Sequence, residues 1–424
     1  MRDELRPSEK KTLDQKLRQL RAQIHGNPEL SQQEFETTRL VRQCLSALEL
    51  TPVELGLPTG AAALLRGGLP GPTVGLRADL DALPIREETG AACASRAEGL
   101  MHACGHDVHT AALLGAAELL SGRRETLRGN VLFLFQPAEE LAIGAKQVME
   151  QGIFRRVQLS ALLCLHVWPG LPLGEVGLRE GPFLAAVDSF RIEINGRGGH
   201  GSAPYLSCSP IPAGAALALA IPSIRSGDLS PTEPGTVAVT SVQSGQCDNV
   251  IPDRCTLLGT IRTFSETARQ TVLGRLQELT HSTAAAWGCT AEVHMVNGAP
   301  PQINDTALVQ VMGSSARALF GENASRRIDP LTISEDFAYY GAEVPTCCAM
   351  FGVGGNAGLH SAAFFPEDAA VLPAAEFLAE SALRALEQAE ACTGGYESLP
   401  CHKERRREDF FVLHAAFCSA RPFA

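Results

Sequence analysis

Val131-Leu132-Phe133-Leu134-Phe135-Gln136-Pro137-Ala138-Glu139-Glu140 opens with five consecutive apolar residues and closes on two carboxylates. An apolar run of that length, bounded by turns and without polar alternation, reads as a strand covered on both faces. Thr73-Val74-Gly75-Leu76-Arg77 and Ala161-Leu162-Leu163-Cys164-Leu165 read the same way. Helical segments separate these runs, among them the alanine-rich stretch from Thr110 to Leu120. Leu13, Leu17, Leu20 and Ile24 set a helical period further upstream, and it stops at His25-Gly26-Asn27-Pro28. Strands alternating with helices predict an α/β fold with a mainly parallel sheet between helical layers. In such sheets, sites form beyond the carboxyl ends of the strands. Asp79 and Asp81 follow the first strand, Glu139 and Glu140 the second, and His166 ends the third.

Between the first two strands lies Met101-His102-Ala103-Cys104-Gly105-His106-Asp107-Val108-His109, which gathers three histidines, a cysteine and an aspartate. Imidazole and thiolate are the donors that hold zinc-like metals. Gly105 lets the chain bend between Cys104 and His106, and Asp107 is placed to cap the following helix. Alone, a Cys-x-His reads rather as a core cysteine beside surface histidines. The convergence of further donors at other strand ends favours chemistry.

Near Asp188 the pattern changes. Phe190-Arg191-Ile192-Glu193-Ile194 alternates as a half-buried strand does, and so do Thr236 to Val242 and Cys255 to Thr263. Helices are predicted over Ala213 to Ala220 and Glu266 to Ala286. Residues 187–296 therefore read as a smaller α+β domain inserted into the first. The first domain occupies 1–186 and resumes over 297–391. From about 392 the composition shifts to a charged tail, 392–424.

Composition narrows the classes of function. The chain has 424 residues, 45% hydrophobic and 20% charged, as a soluble globular protein of two domains does. A formal net charge of −11 argues against nucleic acid as a partner, because phosphate is repelled. No uncharged apolar stretch of about twenty residues predicts a membrane span. Met1 to Lys11 is charged rather than apolar, unlike a secretory signal. The thirteen cysteines are scattered without paired spacing, which fits a reducing cytoplasm.

Taken in order, these segments resemble the M20 metallopeptidase superfamily, in its amidohydrolase branch of hippurate hydrolases, N-acyl-amino-acid amidohydrolases and auxin-conjugate hydrolases. The resemblance spans about residues 15–390. It is carried by Ile24 to Ser31, Arg77 to Pro84, His102 to His109, Phe135 to Glu140, Leu165 to Pro169, Gly198 to Pro204, Asn249 to Pro252, Gly259 to Arg262, Ser334 to Phe337 and Leu359-His360.

The resemblance implies a parallel-sheet catalytic domain with an inserted lid that dimerises. It also implies two divalent metal ions (Zn, Mn, Co or Ni). Cys104 would bridge them, with His106 and His166 completing one ion and Glu140 and His360 the other. Glu139 would be the general base. His200 would bind the oxyanion in a neighbouring subunit's site, and Asn249 and Arg262 would hold the substrate carboxylate. Arg262 also suits a solvated charge at a strand end.

Asp79 stands where other branches carry a histidine ligand, so Asp79 is not expected to bind metal. Asp81 is expected to orient Glu139 or a ligand, although both aspartates also suit a turn before Pro84. His102 and His109 are ligands by type only, and supporting or packing roles are expected for them, as for His25. The lid departs from the branch pattern at Tyr205 and Ser209.

The implied activity is hydrolysis of an N-acyl-amino acid to a carboxylic acid and a free amino acid. The alternatives are a dipeptidase or carboxypeptidase of the same superfamily, or a catalytically silent binder of metal or acyl-amino acid.

Overall fold

The computed structural model describes residues 6–355 and 357–393. They form two compact units. The second comprises Gly181–Ile303 with Asp329–Ala338, and the first takes the rest. The charged tail expected from 392 falls, beyond Thr393, outside the described residues.

The first unit is built on an eight-stranded sheet. Its centre is parallel, as the uninterrupted apolar runs require. Leu69–Asp79 pairs in parallel with Arg128–Gln136 on one side and with Leu159–Trp168 on the other. Thr346–Gly352 pairs in parallel with Leu159–Trp168. The register levels the carboxyl ends: Asp79 lies opposite Gln136, Arg77 opposite Cys164, and Met350 opposite His166. Everything that follows these positions in sequence therefore emerges on one edge of the sheet.

Two antiparallel strands flank the centre, Ala61–Arg66 against Arg128–Gln136 and Val176–Leu178 against Thr346–Gly352. Ala61–Arg66 lies in a glycine- and proline-punctuated region that gave no strand pattern. Its five buried residues are mostly alanine, too small to mark a strand by hydrophobicity.

Helices Pro7–His25, His106–Ser121 and Val371–Thr393 contribute to one continuous core with the sheet. It includes Leu17, Leu76, Val108, Phe133, Leu163, Phe351 and Phe377, all fully buried. His106–Ser121 shows little amphipathic contrast because 13 of its residues are buried. A helix apolar all round sits inside a domain rather than on it.

In the second unit, a four-stranded antiparallel sheet is built from Gly235–Ser244, Arg254–Thr263, Ala186–Asn195 and Thr290–Ala299, in that spatial order. Helices Ile211–Ala220 and Glu266–Ala286 share its core with Phe190, Ile192, Ile194, Leu257 and Ile261. Ser265 caps the longer helix, its hydroxyl accepting from the Ala268 N–H. Among the described residues, no helix is long and apolar enough to cross a membrane.

Candidate metal centre and active site

The loop before helix His106–Ser121 turns on Gly105, at φ +83°. A Cβ there would come within 2.4 Å of Val167 Cγ2, so only glycine lets this loop meet the strand carrying His166. Asp107 does not cap the helix, contrary to the expectation. The helix begins at His106, and no side chain caps it. The Asp107 carboxylate turns inward instead and accepts from Arg21 Nε and His25 Nδ1, both at 2.9 Å. Burial opposes its charge, but Arg21 and then His25 outweigh that and hold the carboxyl well below the usual aspartate range. This buried pairing anchors the first turn of the helix, and with it the neighbouring His106.

Cys104 lies at the middle of the donors. Its Sγ is 3.4 Å from His166 Nε2 and 3.3 Å from His360 Nε2. His360 Nε2 lies 3.6 Å from Glu140 Oε1, and His106 Nε2 lies 3.9 Å from the same oxygen. Two sets of donors thus share one sulfur: Cys104, His106 and His166, and Cys104, Glu140 and His360. His106 Nε2 is also 3.9 Å from Glu139 Oε2.

The far side of each buried ring is fixed. His106 Nδ1 donates to the Asp81 carbonyl at 2.8 Å, and His166 Nδ1 donates to the Val167 carbonyl at 2.8 Å. Both rings are thereby left with Nε2 directed at the cluster. His360 holds a left-handed backbone, φ +61°, and its N–H donates to the Ala103 carbonyl at 2.8 Å. A non-glycine residue at positive φ is uncommon, and this one brings a late loop onto the Cys104 segment.

Several atoms in the cluster lack what a buried polar atom normally has. His106 Nε2 and Glu140 Oε1 are buried with no hydrogen-bond partner. Burial, then the Glu140 charge, pushes the Cys104 thiol well above its ordinary value. Burial pushes Glu140 up to about 7. Burial opposes a charge on His106, yet Asp79 and Asp81 outweigh it and favour positive charge on the ring. Burial and His109 push His166 down to about 3, so its Nε2 keeps a free lone pair. The Cys104 thiol, the Glu140 carboxyl and the His106 ring are thus favoured in protonated form, and a bound cation would displace those protons, while His166 already offers its lone pair. Mixed N, O and S donors of this kind fit divalent transition metals.

Asp81 and Asp79 have separate tasks. The Asp81 carboxylate accepts the N–H groups of Glu139 and Glu140, at 3.1 and 3.0 Å, and the Ser31 hydroxyl at 2.6 Å. Glu34, fully buried, accepts the N–H of Ala138 at 2.8 Å. Three successive N–H groups of the turn bearing both glutamates are thus held by carboxylates. Ala138 sits at φ +56° within it.

Asp79 is clamped by Arg77 Nη1 at 2.7 Å and accepts from His109 Nδ1 at 2.6 Å. His109 Nε2 in turn accepts the Val167 N–H at 2.9 Å. Both nitrogens of His109 are occupied, so it offers no lone pair to a metal. Arg77, Asp79 and His109 instead brace the backbone beside His166. His102 is buried, and burial pushes it down to about 4. His25 is buried between Asp107 and Glu87.

The remaining candidates belong to the second unit. His200 and Asn249 come together because Gly199–His200 pairs with Val250–Ile251, and the Gly201 N–H donates to the Asn249 carbonyl. Both side chains are exposed. Ser202 satisfies His200 Nδ1 through its N–H, at 3.1 Å. Arg262, half-buried on Arg254–Thr263, donates through Nη1 to Thr260 Oγ1 at 2.6 Å and to the Ile261 carbonyl at 3.0 Å. Sequence reasoning missed Glu34, Ser31 and Arg21. Charged or small polar residues near helices carry no pattern that separates a buried clamp from a solvated surface.

Residues 75–384 match the peptidase family M20/M25/M40. An N-acetyl-L-cysteine deacetylase of Bacillus subtilis is 40% identical over 392 residues, covering 92% of this chain and 93% of that protein. Thermostable carboxypeptidase 2 of Saccharolobus solfataricus is 36% identical over 331 residues, covering 77% of this chain and 83% of its own. A crystal structure from Bacillus subtilis, described as a dinuclear metal binding peptidase of the M20 family, superposes with a TM-score of 0.79 at 36% identity. It covers 89% of this chain and 99% of its own. The chain belongs to the M20 family, and it is a hydrolase of amide bonds.

Proposed function

We propose that this protein is a metal-dependent amidohydrolase that cleaves an N-acyl-amino acid to a carboxylic acid and a free amino acid. One observation carries the reading: two donor sets share the Cys104 sulfur, with the Glu139 carboxylate beside them. On this reading Cys104, His106, Glu140, His166 and His360 would hold two divalent ions (Zn, Mn, Co or Ni), His106 and His166 serving one, Glu140 and His360 the other, and Cys104 both. Bound ions supply Lewis acidity, polarising the scissile carbonyl and making water more acidic.

The chain's own residues do the rest. Glu139 takes a proton from the attacking water on a carboxylate oxygen and returns it to the departing amine nitrogen. Asp81 and Glu34 hold the backbone of that turn, so the Glu139 carboxylate needs little reorganisation to act. Arg77, Asp79 and His109 keep the Val167 backbone in place and so aim His166. His200 donates to the oxyanion of the tetrahedral intermediate in a neighbouring subunit's site. Asn249 and Arg262 hold the substrate's carboxylate.

We read 187–296 as the lid domain through which the chain forms a homodimer or a higher homo-oligomer. Large exposed apolar side chains there, Leu219 at 83% and Tyr205 at 82%, support self-association. None of the ten described cysteines is in a disulfide, which suits a cytoplasmic protein.

The deacetylase relative favours acylated amino acids, and the carboxypeptidase relative supports a second reading, cleavage of peptides. A metal-loaded preparation assayed on N-acetyl, N-benzoyl and indole-acetyl amino acids beside dipeptides separates them. Turnover of the acyl-amino acids alone is expected. Turnover of dipeptides alone selects the second reading, and no turnover at all, with metal bound, leaves a silent binder. Glu139→Gln is expected to retain both metals and lose roughly 10²–10⁴-fold in kcat. Full turnover by a metal-loaded Glu139→Gln protein removes Glu139 from its role.

A further inference from the structure

In the second unit, two cysteines distant in sequence meet, and neither has been given a role above. Cys208 Sγ lies 3.5 Å from Cys289 Sγ. Cys289 follows helix Glu266–Ala286 through a turn in which the Gly288 N–H reaches the Ala285 carbonyl and the Cys289 N–H reaches the Ala284 carbonyl. That is a Schellman closure, with Gly288 at φ +69° as its left-handed residue. A Cβ on Gly288 would stand in ordinary contact with the Cys208 sulfur, at 3.4 Å, so it is the left-handed φ that favours glycine there.

Cys208 is fixed from the other side. Its N–H and carbonyl exchange hydrogen bonds with Arg197, both 2.8 Å, which closes the base of the glycine-rich loop that carries His200. Both thiols are thus presented to each other by anchored backbone, one from a helix end and one from a loop base.

We propose that Cys208 and Cys289 form a dithiol–disulfide pair, which in its oxidised form covalently staples the base of the His200 loop to the end of helix Glu266–Ala286. The distribution of exposure sets the order of events. Cys208 is half-buried, whereas Cys289 is 6% exposed. Burial, and then the hydrogen bond with Cys208, pushes Cys289 up to about 11, so it is not the thiol that meets an oxidant first. With a peroxide as oxidant, the Cys208 sulfur attacks one peroxide oxygen. The O–O bond breaks, water leaves, and a sulfenic acid remains on Cys208. The Cys289 sulfur then displaces the hydroxyl from Cys208. The S–S bond forms, and the Cys289 proton leaves with the hydroxyl as a second water. Two thiols and one peroxide give one disulfide and two waters. The closed loop spans the chain from 208 to 289, so the cross-link removes freedom from the unfolded chain.

The test uses the full-length protein, reduced and then treated with hydrogen peroxide, followed by alkylation of free thiols and peptide mapping under non-reducing conditions. The expected result is one linked peptide joining Cys208 to Cys289, reversed by dithiothreitol and absent from Cys208→Ser. The oxidised protein is expected to melt several degrees higher than the reduced one. Recovery of both cysteines as separately alkylated or over-oxidised peptides, while exposed Cys247 has reacted, overturns the pair. Mapping is done on the unsubstituted chain, so the answer does not depend on a variant folding. It is also independent of the metal centre, since the linkage is read by mass alone.

Discussion

The Asp81 carboxylate accepts from the N–H groups of Glu139 and Glu140 and from the Ser31 hydroxyl, with His106 Nδ1 3.4 Å away. Asp81→Asn replaces one accepting oxygen with a donor that faces another donor. A loss of about 10–100-fold in kcat/KM or in metal affinity is expected, the range found for residues that hold ligands in place. Wild-type kinetics and metal content in this variant would refute the positioning role. His25 offers a pH signature. Burial opposes its charge, but Asp107 and then Glu87 outweigh this and raise it above the ordinary histidine value. A raised value contributes stability that is full below about pH 6.5, the unfolded value. It is lost as pH rises through the higher folded value. The deficit of His25→Gln in unfolding free energy is therefore expected to be largest below pH 6 and to shrink on the alkaline side. A deficit that does not change with pH would mean that His25 acts by packing alone.

Among the elements, the decisive contact joins the loop before helix His106–Ser121 to the strand Leu159–Trp168. Gly105→Ala adds a Cβ that meets Val167 at 2.4 Å and must hold φ +83°. The left-handed conformation costs roughly 1–3 kcal/mol for a side-chain-bearing residue, before the clash is counted. The variant is expected to unfold at lower temperature and to bind metal more weakly, read by metal analysis after gel filtration. Unchanged metal content would show that the cluster tolerates a shift of this loop. The opening apolar run shows how an element is read and where the reading stops. Five apolar residues were enough for a buried strand ending at two glutamates. That Ala138 would turn left-handed, and that Glu34 would hold its N–H, depended on a partner 104 positions away.

At the scale of the whole molecule, the two units have separate cores. Leu257 is fully buried in the core of the second, among Phe190, Ile192 and Ile261. Leu257→Ala is expected to cost about 2–5 kcal/mol through lost burial and the cavity left behind. Amide exchange should accelerate across Ala186–Asn195 and Arg254–Thr263 while metal content is retained. Loss of metal together with that protection would show that the cores unfold as one.

The primary structure alone was sufficient for the layers of the first unit, because burial on both faces leaves an unmistakable apolar run and helices leave a period. It also nominated Cys104, His106, Glu139, Glu140, His166 and His360, by way of the family resemblance that the short motifs around them carry, since such motifs are local properties of the chain. Only the tertiary structure decided what the remaining polar residues do. Asp107 gave up a helix cap for Arg21 and His25, and His109 became occupied at both nitrogens. Those outcomes depend on which charged group is pressed against which in a dry interior. There an unmatched charge is costly, and its partner is chosen by packing rather than by distance along the chain.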